Sequence, residues 1–169
     1  VGKASKRIEA SALTETKQMQ LEFWQQLHQQ LQGHPFLRAR KPRPQHWTTY
    51  SIGRSGMHLG AVLNTREKRI GVELYLGDEN ATAFFNLLSL EKAAIEQEIG
   101  AQLNWKELPT KRACRIITYL ENVDPLDRIQ WPRLCTWMQD QLEAYYKAFK
   151  PRVAALDADN YSPEEEDEV

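Results

Sequence analysis

The sequence predicts an α+β domain in which one antiparallel or mixed sheet of about five strands is backed by helices. Two observations predict this class: three strand-like segments follow one another with short turns, and a second strand pair lies between two helical segments. The order is helix, three strands, helix, two strands, helix. A doubly wound nucleotide-binding fold would alternate strands and helices throughout, so this order argues against it.

Three segments have apolar residues at helical spacing, and each carries a signal for its end. Gly33 and Gly100 follow the first two segments, and Pro151 stops the third. Asp78 or Asn80 caps the second at its start. The predicted helices are 14–32, 78 or 80 to 99, and 131–150.

Short runs of apolar and β-branched residues predict strands at 47–52, 57–64, 69–76, 103–108 and 112–120. The first three are joined by turns short enough to favour an antiparallel meander. Because side chains alternate along a strand, the predicted core face contains Met57, Leu59, Ala61, Leu63, Ile70, Val72, Leu74 and Leu76. The predicted opposite face contains His58, Gly60, Val62, Gly71, Glu73 and Tyr75.

The composition is that of one folded domain with polar ends. The chain has 169 residues, of which 41% are hydrophobic, enough for a single core. We expect residues 1–12 to be a linker or tail, residues 13–156 the domain, and residues 157–169 an acidic disordered tail. The chain begins with Val1 instead of Met, which suggests a fragment of a longer protein.

Several function classes lack their sequence signals. No window approaches the ~18 apolar residues of a membrane span, and the start does not resemble a signal peptide, so we expect a cytoplasmic protein without membrane contact. Cys114 and Cys135 have no Cys or His at metal-ligand spacing, which predicts two buried thiols and no metal or cofactor. The turn Gly53-Arg-Ser-Gly56 lacks the lysine of a phosphate-binding loop and leads into a strand.

Glu73 is the one strand acid that invites comparison with a divalent-metal nuclease site. Such a site needs an acid on one strand and Asp/Glu-x-Lys on the next. Two residues after Glu73 stands Tyr75, and no catalytic residue is predicted. We expect Glu73 to form a salt bridge with Arg54 or Arg69, or to be a half-exposed strand residue.

A basic and aromatic region is the main candidate for function. Residues 1–150 carry 21 basic and 16 acidic residues, so the body is mildly positive. Bases on a proline-rich loop beside aromatic rings suit phosphate contacts and base stacking. The nucleic-acid-binding candidates are Arg40, Lys41, Arg43, His46, Trp47, Arg54, Ser55, His58, Arg66, Lys68 and Arg69. We expect the loop and both hairpin turns to gather on one side of the domain.

Two other hypotheses remain open. The last helix carries Trp131, Trp137, Tyr145 and Tyr146, which would suit a protein-interaction or homodimer surface. A small enzyme site lined by His58, Glu73 and Tyr75 is the third hypothesis.

Four segments resemble a known family. They are Leu13-Thr-Glu-Thr-Lys-Gln-Met-Gln-Leu-Glu-Phe-Trp24, Arg40-Lys-Pro-Arg-Pro-Gln-His-Trp47, Ile52-Gly-Arg-Ser-Gly-Met-His-Leu59 and Arg69-Ile-Gly-Val-Glu-Leu-Tyr75. The likeness, to the bacterial family called domain of unknown function 4268, runs from about Leu13 to Leu156. It implies an accessory module, covalently linked to an upstream restriction-endonuclease-like domain, that helps to engage DNA. The family has no assigned catalytic residues to transfer.

Overall fold

The computed structural model describes residues 2–108 and 112–162, and the side chains of residues 8–13 lie outside that description. The helices are α1 (Gly2–Gln30), α2 (Ala81–Ser89), α3 (Lys92–Ile99) and α4 (Trp131–Ala155), with 3-10 turns at Arg128–Gln130 and Ala158–Asn160. The strands are β1 (Trp47–Tyr50), β2 (Met57–Asn64), β3 (Arg69–Leu76), β4 (Asn104–Leu108) and β5 (Ala113–Glu121).

The five strands form one sheet in the order β1-β2-β3-β5-β4, and every pair is antiparallel. The α+β class and the meander of the first three strands are therefore confirmed. Each strand begins and ends within three residues of its predicted position. Short turns and period-two patterns are local in the sequence, so they can be used to predict the strands without knowledge of distant contacts.

One face of the sheet carries the hydrophobic core. Ile70, Val72 and Leu74 on β3 are fully buried, as are Leu59 and Ala61 on β2. Helix α4 packs against β2 and β3, helix α2 packs against β3 and β5, and helices α1 and α3 contact α4. The face assignment predicted from alternation is confirmed for both strands.

Helix α1 starts twelve residues before the predicted position, at Gly2 instead of Thr14. Residues 1–12 were predicted to be a linker or tail because they show no apolar periodicity. Residues 2–12 are nevertheless rich in Ala, Lys, Arg and Glu and contain no proline, and intrinsic propensity extends the helix through them.

The other helices differ from prediction in three places. The predicted helix from 78 or 80 to 99 is two helices, because the chain breaks at Leu90 and Glu91, where the apolar stripe is interrupted by Glu91 and Lys92. Helix α4 continues through Pro151 to Ala155. Asn80 precedes α2 without a side-chain cap, since Asp78 Oδ1 instead accepts from Asn80 N at 2.8 Å.

The beginning of the predicted acidic tail has a regular conformation. Asp157 accepts from the backbone N of Asp159 at 3.0 Å and starts a 3-10 turn. The hydroxyl of Tyr161 accepts a hydrogen bond from Asn86 at 3.3 Å. Residues 157–161 of the predicted tail thus form a turn and contact α2, and residues 163–169 lie outside the described part of the chain.

Position 100 favours glycine because of its backbone conformation and not because of close packing. It ends α3 with φ +80°, and a Cβ added there would meet no atom within 4 Å. We expect Gly100→Ala to lower the free energy of unfolding by about 1 kcal/mol, because an L side chain disfavours the left-handed region. Urea denaturation measures this change.

Gly2→Ala is the matched control for Gly100→Ala. Gly2 is helical and also has nothing within 4 Å of an added Cβ, so the added methyl group should leave stability unchanged or slightly raised. Equal effects at both positions would contradict the backbone explanation.

Candidate functional site

The second face of the sheet is polar, aromatic and partly exposed. Strand register brings together side chains from all five strands on this face. Its main members are Trp47, Thr49, His58, Val62, Arg69, Glu73, Tyr75, Lys106, Arg115 and Tyr119. We call this surface the second face.

An ion pair between a buried glutamate and a half-buried arginine lies at the centre of the second face. Glu73 is only 7% exposed, and its carboxylate accepts a hydrogen bond from Nε of Arg115 on the neighbouring strand. Glu73 also lies against Gly60, where an added Cβ would be 3.0 Å from Glu73 Oε1. The predicted partners of Glu73, Arg54 and Arg69, were wrong because residues from β3 and β5 become neighbours only through long-range pairing.

Tyr119 is held by two cations. The guanidinium of Arg69 lies 3.8 Å from the Tyr119 ring centroid, and Lys106 Nζ donates to the Tyr119 hydroxyl at 3.2 Å. Gly71 makes room beside the ring, since a Cβ there would be 3.0 Å from Tyr119 Cδ1. Arg69 also pairs with Glu121 at 3.3 Å. The Tyr119 ring is thus already engaged by its own neighbours.

His58 and Tyr75 stack on each other with ring centroids 4.9 Å apart. They line a shallow cavity of about 560 Å³ together with Arg40 and Ser55. Burial lowers the pKa of His58, and the positive charge of Arg40 lowers it further. Arg40, which belongs to the proline-rich loop, therefore lies close enough to the second face to disfavour the charged form of His58.

The proline-rich loop, residues 35–46, is fixed at several points. Leu37 is buried, and His34 Nδ1 accepts from its backbone N at 3.0 Å. The indole of Trp24 donates to the carbonyl oxygen of Gln45 at 2.7 Å, and Leu63 N donates to the carbonyl oxygen of His46 at 2.7 Å. These contacts tie the loop to α1 and to β2.

Four exposed cations lie between those fixed points, and three of them, together with Trp47, line one cleft; the fourth is Arg38. Arg40, Lys41 and Arg43 line a cleft of about 190 Å³ with Trp47 and Thr49. Trp47 is 44% exposed. In the described part of the chain, none of the three cations forms an ion pair.

The predicted gathering of the loop and both hairpin turns on one side is wrong. The turns before and after β2 lie at opposite ends of that strand, so Arg54 and Ser55 are separated from Arg66 and Lys68 by its full length. A meander requires this geometry, because consecutive turns alternate between the two ends of the sheet. His46 and Arg66 share a shallow cavity of about 700 Å³ at the second of these ends.

Arg54 has a structural role. Its Nη1 donates to the carbonyl oxygens of Val153 at 2.9 Å and Leu156 at 2.7 Å, at the end of α4. Its guanidinium also lies 4.5 Å from the Phe84 ring centroid. These contacts satisfy terminal helix carbonyls, so Arg54 is removed from the set of free cations.

The aromatic residues of α4 do not form an exposed interaction surface. Trp131 is 3% exposed and Tyr145 is fully buried. Trp137 and Tyr146 are partly buried against the same core, and Tyr146 stacks on Phe36. The helical spacing of these residues reflects core packing, and only Trp137 and Tyr146 keep partial exposure for the predicted interaction surface.

The hypothesised enzyme residues are neighbours but are engaged with other side chains. His58 stacks on Tyr75, while the Glu73 carboxylate is bound by Arg115. Within residues 2–108 and 112–162, no group of three or more His, Cys, Asp and Glu is arranged to hold a metal ion. Cys114 and Cys135 are buried free thiols, as predicted, and burial raises the pKa of each.

Sequence reasoning missed Lys106, Arg115 and Tyr119. The signal that would have found them was available, since alternation along β5 places Arg115, Ile117 and Tyr119 on one face. The sequence does not show that these residues lie on the same face as Glu73. That placement depends on the register of β3 with β5, two strands that are distant in the sequence.

Replacing Arg54 by Ala should destabilise the domain. Two charge-assisted hydrogen bonds to the end of α4 would be lost, which lowers the free energy of unfolding by about 2 kcal/mol. Urea denaturation of Arg54→Ala measures this. Arg43→Ala removes an exposed arginine without such bonds and should stay within about 0.5 kcal/mol of the unmodified chain. Similar losses in both variants would contradict the assignment.

Replacing Arg40 by Gln should raise the pKa of His58 toward its ordinary value. The positive charge of Arg40 disfavours the imidazolium, while burial continues to depress the pKa in the variant. NMR titration of the His58 ring signals would follow the change, with Arg43→Gln as the control. A His58 titration unaffected by Arg40→Gln would show that the loop does not lie against the second face.

In the described residues, no helix combines the length and the apolarity that crossing a bilayer requires. No curated protein and no solved structure matches the chain. One family profile does match, over residues 19–153, which is most of the chain and includes every strand, the proline-rich loop and the second face. The chain therefore belongs to the family described as domain of unknown function (DUF4268).

Proposed function

We propose that this domain is a non-catalytic module that binds nucleic acid. The observation that carries the proposal is the group of exposed, unpaired cations Arg40, Lys41 and Arg43 beside the exposed ring of Trp47, at the edge of the second face. Phosphate contacts supply most of the affinity in such complexes, and aromatic rings supply contacts to bases. The binding surface comprises the proline-rich loop, Trp47 and the adjoining second face.

Proline residues restrict the backbone of the loop that carries Arg40, Lys41 and Arg43. Pro42 and Pro44 flank Arg43, and each fixes its own φ and restricts the residue before it. Less conformational entropy is therefore lost when a phosphate orders the neighbouring side chains. Glu73 and Arg115 form an ion pair. The negative charge of the Glu73 carboxylate is therefore partly neutralised, and it repels a nearby phosphate less than an unpaired carboxylate would.

Two further cations lie at the other end of the proposed binding surface. Arg66 and Lys68 are exposed near the turn that joins β2 to β3, beside the exposed side chain of His46. The phosphate backbone of a nucleic acid that lies along β1 would pass from Arg40 and Lys41 toward this turn. Arg54 is outside the path because its guanidinium is bound at the end of α4.

The binding should depend on salt and on the loop cations. A variant with Arg40, Lys41 and Arg43 all changed to Gln should bind labelled DNA about tenfold or more weakly, since several phosphate contacts are lost. The plot of log affinity against log salt concentration has a negative slope, and this slope should become shallower by about 0.7 to 0.9 for each phosphate contact removed. Fluorescence anisotropy at several salt concentrations measures both quantities.

The matched control removes three exposed cations from the helices. Lys92 lies on α3, and Arg133 and Lys147 lie on α4. Changing these three to Gln lowers the net charge equally, so it tests whether location matters. Equal losses in the two triple variants would show that only net charge is sensed, and absence of binding by the unmodified chain would refute the function.

We also propose that the domain works beside a covalently linked nuclease-like domain in a bacterial, cytoplasmic protein. The resemblance of the four quoted segments supports this context. A parent chain with an acid on one strand and Asp/Glu-x-Lys on the next, upstream of this domain, is the expected finding. A parent chain without that signature would contradict the proposed context and leave nucleic-acid binding to its own test.

A further inference from the structure

Trp47 differs from the other tryptophans of the chain in being exposed. Trp24 and Trp131 are 3% exposed, Trp105 and Trp137 are half-buried, and Trp47 is 44% exposed. It begins β1 and lies on the second face, opposite Val62 of β2. A large aromatic ring at a water-exposed sheet edge is a ready contact for another planar group.

The remaining rings of the second face are less available. His58 and Tyr75 stack on each other at a centroid distance of 4.9 Å and an interplanar angle of 20°. Tyr119 is covered by Arg69 at 3.8 Å and approached by Lys106. Among the aromatic side chains described on this face, Trp47 therefore offers the most accessible surface.

The surroundings of Trp47 combine a small cleft with positive charge. The cleft between the loop and β1 measures about 190 Å³ and is lined by Arg40, Lys41, Arg43 and Thr49. This volume is below the range of roughly 300 to 1,000 Å³ that is typical of small-molecule pockets. A flexible strand with separate bases and regularly spaced phosphates suits both the ring and the cations.

We propose that the ligand of this surface is single-stranded nucleic acid, with one base stacked on the indole of Trp47 and the adjacent phosphates contacted by Arg40, Lys41 and Arg43. This inference rests on the proposed function and specifies its ligand. Paired bases in a duplex are stacked on one another and do not present a ring face, so a duplex would use the cations but not Trp47.

The test compares single strands with a duplex of the same length. Labelled DNA and RNA strands of about twelve nucleotides, and the corresponding DNA duplex, are titrated with the unmodified chain by fluorescence anisotropy at one salt concentration. We expect one or both single strands to bind about tenfold or more tightly than the duplex. The DNA and RNA arms identify which strand the surface prefers.

Variants at Trp47 locate the stacking contact. Trp47→Ala should weaken single-strand binding about 5- to 150-fold, the range known for the loss of one stacked base. Trp47→Phe should retain most of the affinity, and duplex binding should be unchanged in both variants. Leu90→Ala, which truncates an 83% exposed side chain outside this surface, is the control and should bind like the unmodified chain.

The outcomes separate the inference from the function. Duplex binding equal to or tighter than single-strand binding, or single-strand binding unaffected by Trp47→Ala, would overturn the inference while the nucleic-acid function stands. Absence of binding to all three ligands would overturn both. Because Trp47 is exposed, urea denaturation should show that its variants fold, and Trp47→Phe provides the comparison if the alanine variant is less stable.

Discussion

The register between β2 and β3 determines which side chains of these strands enter the hydrophobic core and which lie on the second face. Leu59 pairs with Leu74 and Ala61 with Val72, and all four side chains are fully buried on the face that the helices cover. A shift of one residue in either strand would move its buried side chains to the other face and lose the free energy gained by burying them. The register that forms the core therefore also determines which residues form the second face.

The second face depends on close packing as much as on charge. Gly60 leaves room for the carboxylate of Glu73, and Gly71 leaves room for the ring of Tyr119. The Glu73–Arg115 pair is a weak source of stability, because desolvation of the buried carboxylate offsets much of the attraction. The pair nevertheless leaves the Glu73 carboxylate with a cationic partner inside the second face.

Local sequence signals were sufficient for the strands and insufficient for contacts between distant segments. Alternation identified the core face of β2 and β3, and Gly100 marked the end of α3 as predicted. Periodicity did not show that α1 begins at Gly2, because residues 2–7 are exposed and carry no apolar stripe, while their composition favours a helix. The structural role of Arg54 also escaped prediction, since its partners Val153 and Leu156 lie about one hundred residues away in the chain. The opposite ends of a meander, by contrast, were deducible from the predicted strands, and the expectation of a single cluster overlooked that rule.

The turn before β2 and the end of α4 are tied in both directions. Arg54 reaches from the turn to helix carbonyls, while Lys150 Nζ donates to the carbonyl oxygen of Ile52 at 3.1 Å. The same turn forms part of the cavity that contains Arg40 and His58. These ties run in opposite directions, so a displacement of either the turn or the end of α4 would break at least one of these hydrogen bonds.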